Sequence, residues 1–290
     1  MPKLKVIEPH GFCSGVKAAV EAAFAALEEA RGETVWCLHE LVHNSQVVES
    51  LLARGMVFVE SLDEVPRGGT VLFSAHGVSP AVRALAAERS LRTIDATCPF
   101  VTRVHRQVRA FAADGIPVVI IGNAAHAEVA GTAGEAVSVP VFTVDSPEDA
   151  RRIPLPPGSK VGVVAQTTLS ADDVESVTAA LKERFPGLAE SPAASVCYAT
   201  RDRQRAVRAF VEEGGQGVIV LGSATSSNTQ RLVETALSAG ALYAVRAGTM
   251  EEVEAVEPPP LESIGLTSGA STPEEFLQKA FASLKERFES

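Results

Sequence analysis

The dominant pattern along the chain is a short apolar run, then a small or polar turn, then a helix-like segment rich in alanine, glutamate and leucine. Apolar runs of this kind predict strands at residues 70–73, 117–121, 160–165, 217–221 and 262–266. Runs that are almost continuously apolar over this length are typical of parallel strands buried on both faces. Because they alternate with helical segments of about 12 residues, the pattern predicts an α/β fold with right-handed crossovers.

A cysteine at the start of a helix-like segment recurs three times, at Cys13, Cys98 and Cys197. About 30 residues after each cysteine, a strand-like run ends in a polar cluster, and these clusters contain His43, His126 and residues 226–228. A second polar strand end follows in each third of the chain, at 74–77, 166–168 and 267–271. The repetition predicts three similar units around one shared site, with one cysteine from each unit at its centre.

The predicted domain boundaries fall at these cysteines. The first α/β domain spans residues 14–97, the second 98–194 and the third 195–290. The N-terminal segment 1–13 is predicted to complete the third domain, and the chain is predicted to end in a closing helix within 272–290.

The composition is that of an ordinary globular protein, with 290 residues, 46% hydrophobic and 21% charged. No apolar run approaches the roughly 20 residues that a membrane helix needs, and the first residues do not resemble a signal peptide. We therefore expect a cytoplasmic location and no membrane partner. The formal net charge of −10 argues against nucleic acid as a partner.

The repeated cysteines indicate ligands or nucleophiles rather than disulfides in a reducing compartment. The positive end of a helix dipole favours the thiolate form, which can attack a carbon, bind zinc or hold an iron–sulfur cluster. A nucleophile has no use for three equivalent cysteines, whereas three thiolates without a fourth suit an iron–sulfur cluster with one iron open to substrate. Cys37 has no counterpart in the repeat and is predicted to be a small buried hydrophobe on a strand.

A competing motif lies at 39–43, where His-Glu-Leu-Val-His matches the H-E-x-x-H pattern of zinc proteases. That pattern requires a helix, which brings the two histidines together on one face. Here the residues before the motif are strand-like, and Asn44 and Ser45 are predicted to cap a helix at 46–53. The match is therefore predicted to lie across a strand end and a turn, with His39 structural. No role is predicted for His10 or His105.

Donor side chains dominate the polar strand ends: His43, His76, His126, Ser226, Asn228 and Ser271. Such a set suits the oxygens of a phosphate or diphosphate, to which helix N-termini would add backbone N–H groups. The chain has no Walker-type loop and no G-x-G-x-x-G fingerprint, so a nucleotide is not indicated. Glu128 follows His126 by two residues; in a desolvated site it could hold a proton and act as a general acid, although its position also fits an ordinary first-turn glutamate.

Together these motifs resemble a known family, the 4-hydroxy-3-methylbut-2-enyl diphosphate reductases of the methylerythritol phosphate route to isoprenoids. The resemblance runs over nearly the whole chain. It rests on GFCSG at 11–15, HELVHN at 39–44, SAHGV at 74–78, DATCP at 95–99, HAEV at 126–129, QTTLS at 166–170, CYAT at 197–200, SSN at 226–228 and GAS at 269–271. Asn123 and Ala127 depart from it, because family members often carry histidine and proline at these positions.

The resemblance implies a trefoil of three similar α/β domains, in a pseudo-threefold arrangement around a [4Fe–4S] cluster held by Cys13, Cys98 and Cys197. It also implies reductive dehydroxylation of (E)-4-hydroxy-3-methylbut-2-enyl diphosphate to isopentenyl and dimethylallyl diphosphate. Two electrons would pass through the cluster, whose open iron would bind the substrate hydroxyl while Glu128 supplies a proton. The family suggests ferredoxin or flavodoxin as the electron donor.

By position, the resemblance assigns the diphosphate to a set of histidine, serine and asparagine side chains: His43, His76, His126, Ser226, Ser227, Asn228 and Ser271. It assigns Glu128 and Thr167 to the hydroxyl end of the substrate, with Thr168 nearby. Two functions of other classes remain open: an iron–sulfur redox sensor, which would need a partner surface instead of a diphosphate pocket, and a zinc hydrolase.

Overall fold

The structure is a computed structural model that describes residues 2–189 and 195–289. Strands and helices alternate along the chain, with a short 3₁₀ helix at Leu62–Glu64. In chain order the elements are β1 (Lys3–Val6), α1 (Ser14–Glu29), β2 (Val35–Leu38), α2 (Ser45–Leu52), β3 (Met56–Val59), β4 (Thr70–Phe73), α3 (Pro80–Glu88), β5 (Arg92–Asp95), α4 (Pro99–Ala113), β6 (Val118–Ile121), α5 (Ala127–Ala133), β7 (Val141–Val144), α6 (Pro147–Arg152), β8 (Val161–Ala165), α7 (Ala171–Arg184), β9 (Leu188–Ala189), α8 (Tyr198–Glu212), β10 (Gly217–Leu221), α9 (Ser227–Ser238), β11 (Tyr243–Ala247), α10 (Met250–Glu254), β12 (Ser263–Ser268) and α11 (Glu274–Glu289).

The described strands form three four-stranded sheets, and all their pairings are parallel. The strand orders are β1-β12-β10-β11, β3-β2-β4-β5 and β7-β6-β8-β9. The predicted α/β fold with parallel strands is thus confirmed. β4 and β10 have the predicted bounds, whereas β12 runs on to Ser268 because Thr267 and Ser268 still pair with β10 through their backbones.

Alternate residues of one strand serve two separate cores, which explains why the strands are apolar throughout. In β6, Val119 and Ile121 belong to a core cluster with α6 and α7. Val118 and Ile120 belong to another, with α4 and α5. Fully burying such a side chain stabilises the fold by about 1.5–3 kcal/mol, so both faces of the sheet hold their helices firmly.

By internal contacts the chain divides into two compact units. Unit 1 comprises Met1–Lys17, Val42–Ser50 and Tyr198–Ser290; unit 2 comprises Ala18–Leu41 and Leu51–Cys197. Unit 1 contains the sheet β1-β12-β10-β11, in which the N-terminal strand pairs with a strand from the end of the chain. Unit 2 contains the other two sheets. The three-domain division stays a prediction, and its boundary between residues 194 and 195 borders a segment outside the described residues.

None of the helices in the described residues is long and apolar enough to cross a membrane.

Candidate functional site

The predicted polar clusters lie beyond the carboxyl ends of the parallel strands, where open α/β sheets bind their ligands. In unit 2, His76 follows β4, His126 follows β6 and Thr167 follows β8. In unit 1, residues 226–228 follow β10 and Ser271 follows β12. Each sheet therefore carries candidate ligand-binding residues at the same edge.

Each of the three repeated cysteines makes the same kind of backbone hydrogen bond. In each case the donor and the acceptor lie in the same compact unit. In every case the cysteine N–H donates to a carbonyl oxygen in the second polar strand end of the preceding repeat, with the third repeat preceding the first. The pairs are Cys13 with Ala270 at 3.0 Å, Cys98 with Ala75 at 3.0 Å, and Cys197 with Thr167 at 3.1 Å. The threefold pattern of the sequence thus corresponds to a contact that is repeated three times in the fold.

These cysteines also share their position relative to a helix. Cys98 is the N-cap of α4, and Cys13 and Cys197 immediately precede α1 and α8. The backbone N–H of Val16 in the first turn of α1 donates to Cys13 Sγ at 3.4 Å. All three are half-buried, and the four cysteines, all of them in the described residues, form no disulfide. N–H groups at helix N-termini stabilise thiolates, which is the form that binds metals.

Cys37 differs from them in its position and its burial. It is fully buried in the middle of β2, and desolvation raises the pKa of its thiol to about 12. A thiol in this environment stays protonated and is a poor ligand. The prediction that Cys37 is a small buried hydrophobe is confirmed.

Glu128 is a buried carboxyl group on the first turn of α5, with 4% of its surface exposed. Its Oε1 accepts a hydrogen bond from the Thr167 backbone N–H at 2.7 Å, and its Oε2 lies 2.8 Å from the Thr167 hydroxyl. Desolvation raises the pKa of Glu128 to about 6 and outweighs the two hydrogen bonds, which lower it. Glu128 is therefore a first-turn residue, as its position indicated, but its carboxyl group can also hold a proton near neutral pH.

Two histidines of unit 2 meet edge to face, His76 after β4 of one sheet and His126 after β6 of another. The rings of His76 and His126 are 5.5 Å apart at an interplanar angle of 89°. His126 is the N-cap of α5, and its Nδ1 accepts from the Glu128 backbone N–H at 3.2 Å. This bond leaves the proton of a neutral ring on Nε2, so that His126 presents an N–H donor, as anion binding requires.

A small network organises the loop before His126. The backbone N–H of Asn123 donates to Gln166 Oε1 at 3.1 Å, and Asn123 Oδ1 accepts from the Ala125 N–H at 2.9 Å. Gln166 is buried and also donates to Thr168 Oγ1 at 3.0 Å. Gln166 belongs to a predicted polar strand end directly after an apolar run, but no role of its own was predicted for it. Asn123, one of the two departures from the family pattern, thus builds a turn of its own.

In unit 1 the polar residues gather around the start of α9. Ser226 is its N-cap and accepts from the Thr229 N–H at 3.3 Å, and Ser227 is its first residue. Asn228 is 5% exposed, and neither its Nδ2 nor its Oδ1 has a hydrogen-bond partner among the described residues. Buried amides are almost always hydrogen-bonded, so the lack of a partner within the described residues marks Asn228 as a candidate ligand-binding residue. The Ser271 hydroxyl donates to the carbonyl oxygen of His43 at 3.1 Å.

A buried arginine supports the backbone next to Cys13. Arg203 on α8 donates from Nη2 to the Gly11 carbonyl oxygen at 2.7 Å and from Nη1 to that of Ala199 at 3.0 Å. The Ser14 and Tyr198 hydroxyls are 2.8 Å apart. Sequence reasoning missed Arg203, since an arginine within a helix gives no local sign of burial.

The H-E-x-x-H motif does not form a zinc-protease site, as predicted. Residues 39–44 lie between β2 and α2 rather than in a helix. His39 has a positive φ of 61° and pairs at 2.7 Å with Glu60 in an exposed turn. Asn44 Oδ1 accepts from the Val47 N–H at 3.1 Å, which confirms its predicted capping role.

The predicted site residues are thus divided between the two units. Unit 2 holds Cys98, Cys197, His76, His126, Glu128, Thr167 and Thr168. Unit 1 holds Cys13, His43, Ser226, Ser227, Asn228 and Ser271. Within unit 2 the structure brings His76 to His126 and Glu128 to Thr167. That all of these residues serve one site stays a prediction.

Comparisons with known proteins cover almost the whole chain. A family model described as LytB protein matches residues 4–285. The 4-hydroxy-3-methylbut-2-enyl diphosphate reductase of Rhodococcus opacus (strain B4) is 47% identical over 272 residues, which are 94% of this chain and 80% of that protein. The enzyme of the same name from Mycobacterium ulcerans (strain Agy99) is 44% identical over 284 residues, 98% of this chain and 85% of that one. Among solved structures, the E-1-hydroxy-2-methyl-but-2-enyl-4-diphosphate reductase from Plasmodium falciparum is similar with a TM-score of 0.91 and 36% identity, covering 98% of this chain and 87% of that one.

Proposed function

The chain belongs to the LytB protein family, and we propose that it reduces (E)-4-hydroxy-3-methylbut-2-enyl diphosphate to isopentenyl diphosphate and dimethylallyl diphosphate. It is an oxidoreductase of the methylerythritol phosphate route to isoprenoids. The observation that carries the proposal is the double role of Thr167. Its N–H and hydroxyl hold the Glu128 carboxyl group, and its carbonyl oxygen holds the backbone of Cys197.

The cysteines fit an iron–sulfur cluster. Cys13, Cys98 and Cys197 are half-buried thiols at helix N-termini with equivalent backbone anchors, and three thiolates suit a [4Fe–4S] cluster that keeps one iron without a protein ligand. These three residues would hold the cluster, and Cys37 would not. When bound, the cluster would supply the electrons and the Lewis acidity that a poor leaving group such as hydroxide requires.

The remaining polar residues suit the anionic end of the substrate. In unit 2, His76 and His126 lie together after β4 and β6, and His126 presents a ring N–H group. In unit 1, the backbone N–H groups at the start of α9 and the Asn228 amide offer further donors. Together with His43, Ser226, Ser227 and Ser271, these residues would bind the diphosphate and orient the hydroxyl end. Thr167 would serve the hydroxyl end of the substrate, with Thr168 nearby, held by the Gln166 amide.

Glu128 would supply the proton with which the hydroxyl leaves as water. A carboxyl group whose pKa is raised to about 6 holds its proton more readily near neutral pH than an ordinary glutamate, and a bound diphosphate would raise this pKa further through charge repulsion. The reaction consumes two electrons and two protons, and protonation at either end of the allylic unit gives the two products. We propose ferredoxin or flavodoxin as the electron donor and the cytoplasm as the location.

Anaerobic purification followed by metal analysis, a visible spectrum and turnover with a reduced dye tests the proposal. We expect iron and sulfide, a brown colour, and conversion of the allylic diphosphate to both products. A colourless protein that contains zinc would indicate the hydrolase instead. A coloured protein without turnover would indicate a redox sensor and would contradict the proposed reaction.

A further inference from the structure

A buried charged cluster in unit 2 has no part in the chemistry above. Glu135 follows α5, and its side chain is 2% exposed. Its Oε1 lies 2.9 Å from Nδ1 of His105 on α4, whose side chain is 3% exposed. Its Oε2 lies 2.7 Å from Nη1 of Arg109, which is one turn further along α4 and 48% exposed. Glu135 therefore joins the end of α5 to two residues of α4.

The charges of the cluster follow from its surroundings. A buried carboxylate is very costly unless it is paired, and Arg109 provides the positive charge. His105 Nε2 is buried and has no hydrogen-bond partner among the described residues, so its single proton is best placed on Nδ1, where it donates to Glu135. Burial lowers the pKa of His105 and keeps the ring neutral, although Glu135 opposes this effect. Glu135 is thus an anion held by one cation and one neutral donor.

The His105 ring also supports the turn that carries His76. The Gly77 N–H donates to the Ser74 carbonyl oxygen at 3.1 Å, which closes this turn, and Gly77 has a positive φ of 75°. A Cβ atom at Gly77 would lie 2.9 Å from His105 Cε1, so the ring directly contacts the backbone that follows His76. A shift of His105 would therefore move this turn.

Helix α5 contacts the same region closely through two glycines, Gly131 and the C-cap Gly134. A Cβ atom at Gly131 would lie 2.9 Å from the Gly77 carbonyl oxygen, and one at Gly134 would overlap Ser79. Three residues before Gly131, the same helix carries Glu128. Helices α4 and α5 thus both pack against the turn that carries His76. The contacts of Glu135 with His105 and Arg109 link the two helices to each other.

We propose that Glu135 is a positioning residue: by fastening α5 to His105 and Arg109 of α4, it holds His76 in register with His126 and Glu128. Its kinetic consequence rests on the proposed function, because the residues that it aligns are those assigned to the substrate. The fastening itself can be tested whether or not the chain is this reductase.

The test compares Glu135→Ala with a control of similar burial, Phe185→Leu, in the core cluster on the opposite face of the same sheet. Hydrogen exchange of the segment 74–79 and the KM for the allylic diphosphate are measured in both. Glu135→Ala should speed exchange at Gly77 and Val78 and raise KM by roughly 10- to 100-fold, as is typical for partners that orient binding residues. The competitive inhibition constant of inorganic diphosphate should rise in parallel, while kcat changes less. Phe185→Leu should lower the melting temperature without either effect.

Two further variants keep the inference testable if Glu135→Ala does not fold. Glu135→Gln retains an oxygen that can accept from His105, and Arg109 can turn to solvent, so KM should stay within about threefold of the parent protein. His105→Asn retains a donor for Glu135 but lacks the ring that contacts Gly77, so exchange at 74–79 should rise. Unchanged exchange and KM in both Glu135→Ala and His105→Asn would overturn the inference. If the parent protein itself does not convert the substrate, the proposed function fails, and the exchange data alone decide the positioning role.

Discussion

Thr167 holds both carboxylate oxygens of Glu128, with its backbone N–H 2.7 Å from Oε1 and its hydroxyl 2.8 Å from Oε2. The two residues are 39 positions apart in sequence and lie beyond the ends of neighbouring strands, β6 and β8. The carboxyl group is thereby fixed in orientation and at the same time removed from water. Orientation and a raised pKa are the two properties that a general acid needs.

The first prediction is that Glu128→Gln abolishes most turnover while iron content and substrate binding persist. Glutamine keeps the shape and can still accept from the Thr167 N–H, but it cannot release a proton. General acid catalysis typically contributes about 10²–10⁴-fold, so kcat with a reduced dye should fall in that range. Glu175→Gln, at an exposed position on α7, serves as the control and should be fully active. A loss of only a few-fold would leave Glu128 as a helix-start residue.

The second prediction concerns stability as a function of pH. The pKa of Glu128 is about 6 in the folded protein against 4.5 for the ordinary group, so between these values the folded state binds the extra proton. The contribution of Glu128 to the free energy of unfolding is therefore greatest below pH 4.5, falls by about 2 kcal/mol as the pH rises through 6, and stays low above it.

Glu128→Gln removes this titration, which provides the measurement. The difference in melting temperature between the variant and the parent protein should change in favour of the variant from pH 4.5 to 6.5. Taking the difference cancels carboxyl groups with lowered pKa values, such as Asp95 and Glu252, which act in the opposite direction. A difference that is constant over this range would show that Glu128 does not titrate there.

The third prediction separates the four cysteines. Replacing Cys13, Cys98 or Cys197 with alanine should each abolish iron binding and the visible spectrum, because each thiolate would hold one iron of the cluster. Cys37→Ala is the matched control and should retain both, since its thiol is buried and protonated. Iron per chain and absorbance are measured after anaerobic reconstitution. Normal iron content in Cys98→Ala, or complete loss in Cys37→Ala, would contradict the assignment.

The fourth prediction uses the unpartnered amide of Asn228. Because its polar atoms have no partner among the described residues, Asn228→Ala should leave the melting temperature unchanged or raise it. The KM for the diphosphate substrate should rise by roughly 10-fold, as expected when one hydrogen bond to a charged group is lost. Gln230→Ala, at an exposed position on the same helix, should change neither quantity. A marked loss of stability in Asn228→Ala would mean that the amide is structural.

The patterns that succeeded are local. The apolar runs predicted parallel strands because a strand buried on both faces must be apolar at nearly every position, as β6 and β10 are. The strand-like residues before His39 predicted that H-E-x-x-H would not be helical. The prediction ended β12 two residues too early. Thr267 and Ser268 are polar, but their backbones still pair with β10, and a side-chain pattern does not reveal this.

The sequence by itself determined the fold class, the threefold repeat of the cysteines, the separate status of Cys37 and the family. Each of these depends on residue types at short or regular spacings. Only the tertiary structure decided that Glu128 is buried against Thr167, that the Asn228 amide has no partner in the described part of the chain, and that Glu135 joins His105 to Arg109. Burial and pairing depend on which distant segments the fold brings together. They shift the pKa of an ionisable side chain far more than the residues next to it in sequence do.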